Sequence, residues 1–221
     1  MKRSYIKVIL QHVVMGFAVL FVLIPLQGPL LSSAQAALIN NGGFMPPPNT
    51  TFITVNAVDS LTIPGWTVTQ GSVDWIGTYW QAPLSSGQAS IDLDGNSPGA
   101  ISQTLSTTPG QSYIVTFYLS GNPDGGPSTK QLAVSATGNP TGEFTYTMDN
   151  NSETDMKYLT ESYGFTAAGP STILSFTSLD SAGNAFGPVI GNVAAAPVPL
   201  PSALLLFAPG LLGLIGIKRR C

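Results

Sequence analysis

Imidazole and thiol are almost missing from this 221-residue chain, which has one His and one Cys. His12 lies in the first apolar stretch and Cys221 is the last residue. The 160 residues between the apolar ends, Ala37 to Ala196, thus offer no imidazole for a Ser-His or Cys-His nucleophile and none for a zinc or copper site. They form no disulfide, so that stretch must fold on packing alone. Charge is scarce as well, at 9% of residues. Six of the eight Lys and Arg flank the apolar ends, leaving Lys130 and Lys157 against all eleven Asp and Glu, a net of about −9. Such a surface repels phosphate backbones and argues against a nucleic-acid partner. Cations, neutral sugars or a basic surface stay open. No window of the body carries a sustained 3.6-residue apolar period, which argues against helices.

Both ends of the chain read as addresses. Lys2, Arg3 and Lys7 precede an apolar stretch from Val13 to Leu26, and Ala34-Gln35-Ala36 supplies a small-x-small cleavage site. These are the parts of a secretory signal peptide over residues 1–36, with Ala34 and Ala36 at the cut and Ala37 opening the mature chain. An uncut N-terminal anchor is the other reading; Pro25, Gly28 and Pro29 favour cleavage because they break the helix. No Cys follows the site, which argues against a lipoprotein. Residues 197–221 form the other address. A Pro-rich hinge (Pro197, Pro199, Pro201) leads into an apolar run from Leu200 to Ile217 and then Lys218-Arg219-Arg220. As a helix that run reaches roughly 27 Å, close to the hydrocarbon core of a bilayer. The basic cluster should stay cytoplasmic with everything upstream outside. Cys221 is either a palmitoylation or redox site or a chance terminal residue.

The body, residues 37–196, is the size of one domain with its own core. Short β-type runs alternate with turn signals. Trp66 to Val68 and Ser72 to Ile76 flank Thr69-Gln70-Gly71, Ala89 to Leu93 runs into Asp94-Gly95-Asn96, and Ile101 to Leu105 ends at Pro109-Gly110. In Tyr113 to Ser120 the residues Tyr113, Val115, Phe117 and Leu119 line one face. Leu132–Ala136, Phe144–Thr147, Tyr158–Phe165, Thr172–Thr177 and Val189–Val193 continue the series. About ten such strands predict an antiparallel β-sandwich, followed by a short extended hinge from Ala194 to Pro201.

Four groups of residues are candidates for chemistry. Asp92, Asp94 and Asn96 are spaced like the opening of a calcium loop, but Ser97 stands where a Gly is needed and Gln103 where a Glu is. A strand end with an Asx-type turn is the competing reading. Trp75, Tyr79 and Trp80, close to Asp74, form either a platform for sugar rings or ordinary core; Trp75 points inward on this reading, and Tyr79 and Trp80 are the exposed pair. Asn122 to Pro127 is a tight polar loop that either rims a binding face or only connects strands. Asp149 to Asp155 reads as a solvated acidic loop. A glycosidase needs two carboxylates across a cleft, and nothing in the pattern brings a particular pair together.

Val198-Pro-Leu-Pro-Ser-Ala-Leu-Leu-Leu-Phe, then Gly-Leu-Leu-Gly-Leu and Lys-Arg-Arg, resembles the PEP-CTERM sorting signal of Gram-negative bacteria, with Leu200 in place of the motif's Glu. The resemblance implies an exosortase as partner, in species that make exopolysaccharide. The body resembles the choice-of-anchor C family, akin to plant cell-wall domains with a galactose-binding-like jelly roll. Asn41-Gly42-Gly43-Phe44, Ile63-Pro64-Gly65-Trp66, Gly71 to Ile76, Asp94 to Gly99, Gly121 to Pro127, Leu174 to Leu179 and Gly187-Pro188 carry that likeness. Relatives tend to have acids where Met45 and Gly191 stand here, positions that can ligate a structural calcium, so the resemblance implies no metal in this chain. Together these readings predict an exported, non-enzymatic surface or matrix protein, without cofactor, that associates with polysaccharide and reaches the membrane through its tail. The alternative is a secreted carbohydrate-active hydrolase using carboxylates such as Asp92 and Asp94.

Overall fold

A computed structural model describes residues 38–47, 50–84 and 88–199. Among them there is no α-helix, and eleven strands form two antiparallel sheets. The six-stranded sheet runs β1 (Phe52–Asn56), β3 (Ser72–Ile76), β4 (Ser90–Asp92), β11 (Pro188–Pro197), β6 (Ser112–Gly121), β9 (Leu159–Thr166). The five-stranded sheet runs β2 (Thr67–Gln70), β5 (Ala100–Ser106), β10 (Ser171–Ser178), β7 (Thr129–Ala136), β8 (Gly142–Thr147). The antiparallel sandwich expected from the turn-punctuated pattern is present. β1 escaped the sequence reading, although Phe52-Ile-Thr-Val-Asn is β-branched; its signal is diluted by Pro46-Pro47-Pro48 just upstream.

Alternation decides which side chains meet. In β6 the odd positions from Tyr113 to Leu119 are buried, and Phe117 lies edge-on to Phe176 of β10 at 5.3 Å, joining the sheets. Trp66 and Trp75 donate their indole N–H groups to Asn41 O and Phe44 O, which pins the Asn-Gly-Gly-Phe segment to the sandwich. Gly42 is needed there, because a Cβ would stand 1.8 Å from Val193 O. Gln103 is buried on β5 and binds Asn40 O and Gly65 O, so it ties loops together instead of closing a calcium loop. At Thr108 to Gln111 the Pro109-Gly110 pair makes a turn of type II character, with Gly110 at φ +77° and Gln111 N bonded to Thr108 O.

Two expectations need correction. Thr69 and Gln70, read as part of the link between two runs, continue β2, which pairs with β5, and Gly71 alone leads into β3, which pairs with β1 and β4. The hinge also begins later than expected. Ala194 to Pro197 continue β11 and pair with Thr116 to Tyr113, because small side chains lie flat against β6. No helix among the described residues is long and apolar enough to cross a membrane. The signal peptide with Ala34 and Ala36, and the tail with Pro201, Lys218, Arg219 and Arg220, lie outside the described residues. Pro199 is described and exposed.

Candidate functional site

On its outer face the six-stranded sheet carries Phe52, Asp74, Ile76 and Asp92, the partners of the inward Trp75 and Ile91 by alternation. The loop after β3 folds back over this face. Trp80, Ile76, Val189 and Met156 form a second small apolar cluster there, with Tyr79 and Tyr158 packed on it. Beside the cluster lies a cleft of about 180 Å³ lined by Phe52, Asp74, Ile76, Tyr79, Trp80, Asn122, Asp124, Ala185 and Phe186. Phe52 and Phe186 are exposed, and Tyr79 stands edge-on to Phe52 at 5.5 Å and tilted to Trp80 at 5.5 Å. The Tyr79 hydroxyl donates to Asp124 Oδ2 at 2.9 Å, and that carboxylate raises the phenol's pKa. Asp74 accepts Thr54 Oγ1, and burial pushes its carboxyl up. The cleft therefore offers aromatic rings and carboxylate oxygens together.

A buried polar knot holds the cleft's two far loops. Asp92 is fully buried; its Oδ1 accepts Asp94 N and Gly187 N, and its Oδ2 accepts Asn122 Nδ2 at 2.6 Å. Lys130, also fully buried, donates to Gly125 O at 2.9 Å and to Phe186 O. Asn184 Nδ2 reaches Asp94 Oδ2 and Asp180 Oδ2. These bonds tie the loop after β6, which carries Asn122 and Asp124, to the loop before β11, which carries Ala185 and Phe186. Phe186 lies directly on Gly125, where a Cβ would stand 2.4 Å from its ring. Burial raises the pKa of Asp92 well above the usual carboxylate range. It pushes Asp94 up to about 6, with the Ser178 hydroxyl opposing. Burial lowers Lys130, and the carboxylates of Asp180, Asp92 and Asp94 act against that.

The predicted site residues separate accordingly. Tyr79 is half-buried in the cleft wall. Trp80 is not exposed: only 6% of it is accessible, and its Nε1 donates to Ser90 Oγ at 2.9 Å, because the loop presses it onto the sheet. Trp75 is buried core. Asp92 and Asp94 are buried beneath the loops and closed to a ligand, so they position the cleft and cannot serve as a hydrolase pair. The Asx-type turn forms, with Asp92 accepting Asp94 N. Asn96 is exposed and outside the cleft lining, its N–H bonded to Ser72 Oγ. Among the described residues no group of three His, Cys, Asp or Glu is placed to hold a metal ion. At Gly191 a side chain has no room, since a Cβ would stand 2.3 Å from Pro83 Cγ. Phe52, Phe186 and Lys130 escaped the sequence reading. Lys130 left a signal: it falls in phase with the inward Leu132, Val134 and Ala136 of β7.

Residues 37–196 match the family described as DUF642, a protein of unknown function. The chain belongs to the DUF642 family. Among curated proteins, Halomucin of Haloquadratum walsbyi is 30% identical over 174 residues, which cover 74% of this chain and 2% of Halomucin. The chain thus spans a very small part of that relative's length. A CBM4 structure is 18% identical with a TM-score of 0.38, covering 72% of this chain and 99% of the other. TmCBM61 in complex with β-1,4-galactotriose is 12% identical with a TM-score of 0.43, covering 73% and 99%. The CBM22-1 xylan-binding domain of Paenibacillus barcinonensis Xyn10C is 16% identical with a TM-score of 0.43, covering 67% and 95%.

Proposed function

We propose that this DUF642 protein is an exported, non-catalytic polysaccharide-binding protein of the cell surface or matrix, with a jelly-roll sandwich of the galactose-binding-like kind. One observation carries the reading: the rings of Phe52, Tyr79 and Phe186 line the same cleft as the polar side chains of Asp74, Asn122 and Asp124. Sugar rings stack their C–H faces on aromatic surfaces while hydroxyls donate to carboxylates and amide oxygens. The buried knot supports it further, because it fixes both far loops before any ligand arrives, and preorganisation lowers the cost of binding. Tyr79→Ala should therefore abolish retention of the full chain in affinity electrophoresis on a polysaccharide panel, with the melt changed by less than about 1 kcal/mol. Retention equal to that of the parent protein would remove the cleft from the account, and turnover of any glycan in the panel would make the protein an enzyme.

The same proposal places the protein outside the cell. The N-terminal leader directs export, the tail holds the chain briefly in the inner membrane of a Gram-negative bacterium, and an exosortase cuts near Pro199. Support comes from the exposure of Pro199, which follows β11 and Val198, the residue whose backbone is still bonded to Ser112 and Gln111. Intact-mass measurement of the protein recovered outside an exosortase-containing strain should lack Leu204 to Cys221. A full-length tail in that sample overturns the sorting reading without touching the cleft.

A further inference from the structure

The cleft has an acidic neighbour. Pro123, Asp124, Asn151, Ser152, Glu153 and Thr154 line a second, more open depression of about 410 Å³, and Asp124 belongs to both. The Asp149–Asp155 loop, read from the sequence as merely solvated, thus borders the aromatic cleft. Its position is fixed: Gln81 N donates to Glu153 O at 2.7 Å, and the Gln81 side chain accepts Met156 N at 2.9 Å. Glu153 is close enough to help raise the Tyr79 phenol, after the larger effects of the Asp124 bond, burial and the Asp124 charge. The two depressions meet at Asp124, one lined by aromatic rings and the other by Asp124 and Glu153, and together they are termed the groove.

No basic side chain among the described residues answers these acids. Lys130 is buried and spends its ammonium on Gly125 O and Phe186 O. Lys157 donates to Asp149 O at 2.5 Å and pairs with Asp149 Oδ2 at 3.7 Å. Asp124 accepts a single bond, from Tyr79, and its Oδ1 is unused. A uronate or sulfated chain would meet like charge throughout the groove with no cation to receive it, which costs affinity and slows encounter. A chain with ammonium groups would lay one ring on Tyr79 and Phe52 and bring the charge of a neighbouring sugar to Asp124 and Glu153.

We infer that the groove selects polysaccharides bearing free amino groups, a polymer of de-N-acetylated amino sugars, over neutral and anionic ones. This rests on reading the cleft as a glycan site. Two partly exposed ammonium–carboxylate pairs together give on the order of tenfold in affinity.

The test uses the full chain on particles of chitosan, its fully N-acetylated counterpart chitin, a neutral xylan, alginate and polylysine, at mildly acidic pH. Retention on chitosan should exceed that on chitin about tenfold and fall as salt is raised. The Glu153→Gln variant, outside the aromatic cleft, should lose about half of that preference on a logarithmic scale, roughly threefold, and keep its melt and its retention on xylan. Because the body stays strongly acidic in that variant, unchanged retention on chitosan would mean that net charge acts instead of the groove, and would overturn the inference. Polylysine retaining the parent as well as chitosan does would overturn it in the same way. Equal retention on chitin and chitosan overturns the amino preference but leaves glycan binding standing. No retention on any glycan overturns both.

Discussion

Trp80→Ala is expected to cost about 3–5 kcal/mol of stability and to lower the melting temperature by roughly 10 °C or more in a domain of this size. The indole is 6% accessible and packs with Ile76, Val189 and Met156 in the small apolar cluster between the loop after β3 and the sheet it covers. Truncation removes that burial, leaves a cavity, and strips the Ser90 hydroxyl of its indole donor. Tyr79, tilted against Trp80 at 5.5 Å, then loses its support, so glycan retention should fall with the fold. Trp80→Phe separates the two contributions. It keeps most of the apolar contact and loses the N–H, which predicts about 1–2 kcal/mol and largely retained binding. A thermal melt of each variant decides the matter. An unchanged melt with lost retention for Trp80→Ala would mean that the ring is a ligand platform and not part of the fold.

That assignment of Trp80 marks where the sequence stops being informative. Period-two alternation identifies ten of the eleven strands, because a half-buried strand must alternate whatever it pairs with. Alternation also separates Trp75, in phase with the inward series of β3, from Asp74 and Ile76. It says nothing of Trp80, which lies beyond the strand end. Its burial depends on Met156 and Val189, far along the chain, arriving over the same patch of sheet. The same is true of Asp92 and Asp94. Their D-x-D-x-N spacing describes a local turn, and the turn forms. Yet their surroundings are set by Asn122, Lys130, Asn184 and Gly187, which only the sandwich topology brings near. Clustered aromatics led to the cleft at Tyr79; Phe52 of β1 and Phe186 of the loop before β11 line it too, and no local pattern encodes their proximity.

The pH dependence of stability follows from the buried knot. Asp94 is raised to about 6, first by burial; Asp180 adds to the rise, while Ser178, Lys130 and Asn184 oppose it. Asp92 is raised well above its usual range, and Asp180 and Asp74 are raised as well, each by burial first. Asp59 is shifted the other way by the Thr62 backbone N–H, but it is only partly buried and adds little. A carboxyl whose folded pKa exceeds its unfolded value binds protons more readily in the folded state. Unfolding then releases protons, and stability falls as pH rises through the folded value. For Asp94 the loss begins near the model-peptide value of about 4 and is complete somewhat above 6, amounting to at most about 3 kcal/mol. The domain should therefore melt at a higher temperature near pH 5 than near pH 7.5. This trend is the reverse of that of a protein held by ionised surface carboxylates. Asp94→Asn keeps an acceptor for Asn184 Nδ2 and removes the titration, so its melting temperature should vary less across the same range. One feature of the geometry points the same way: Asp94 Oδ1 is buried and makes no hydrogen bond of full geometry. Ionising an oxygen so poorly compensated is costly. Melting temperatures that rise with pH across this window in the parent protein, or an Asp94→Asn profile parallel to it, would show that the knot does not titrate as its burial requires.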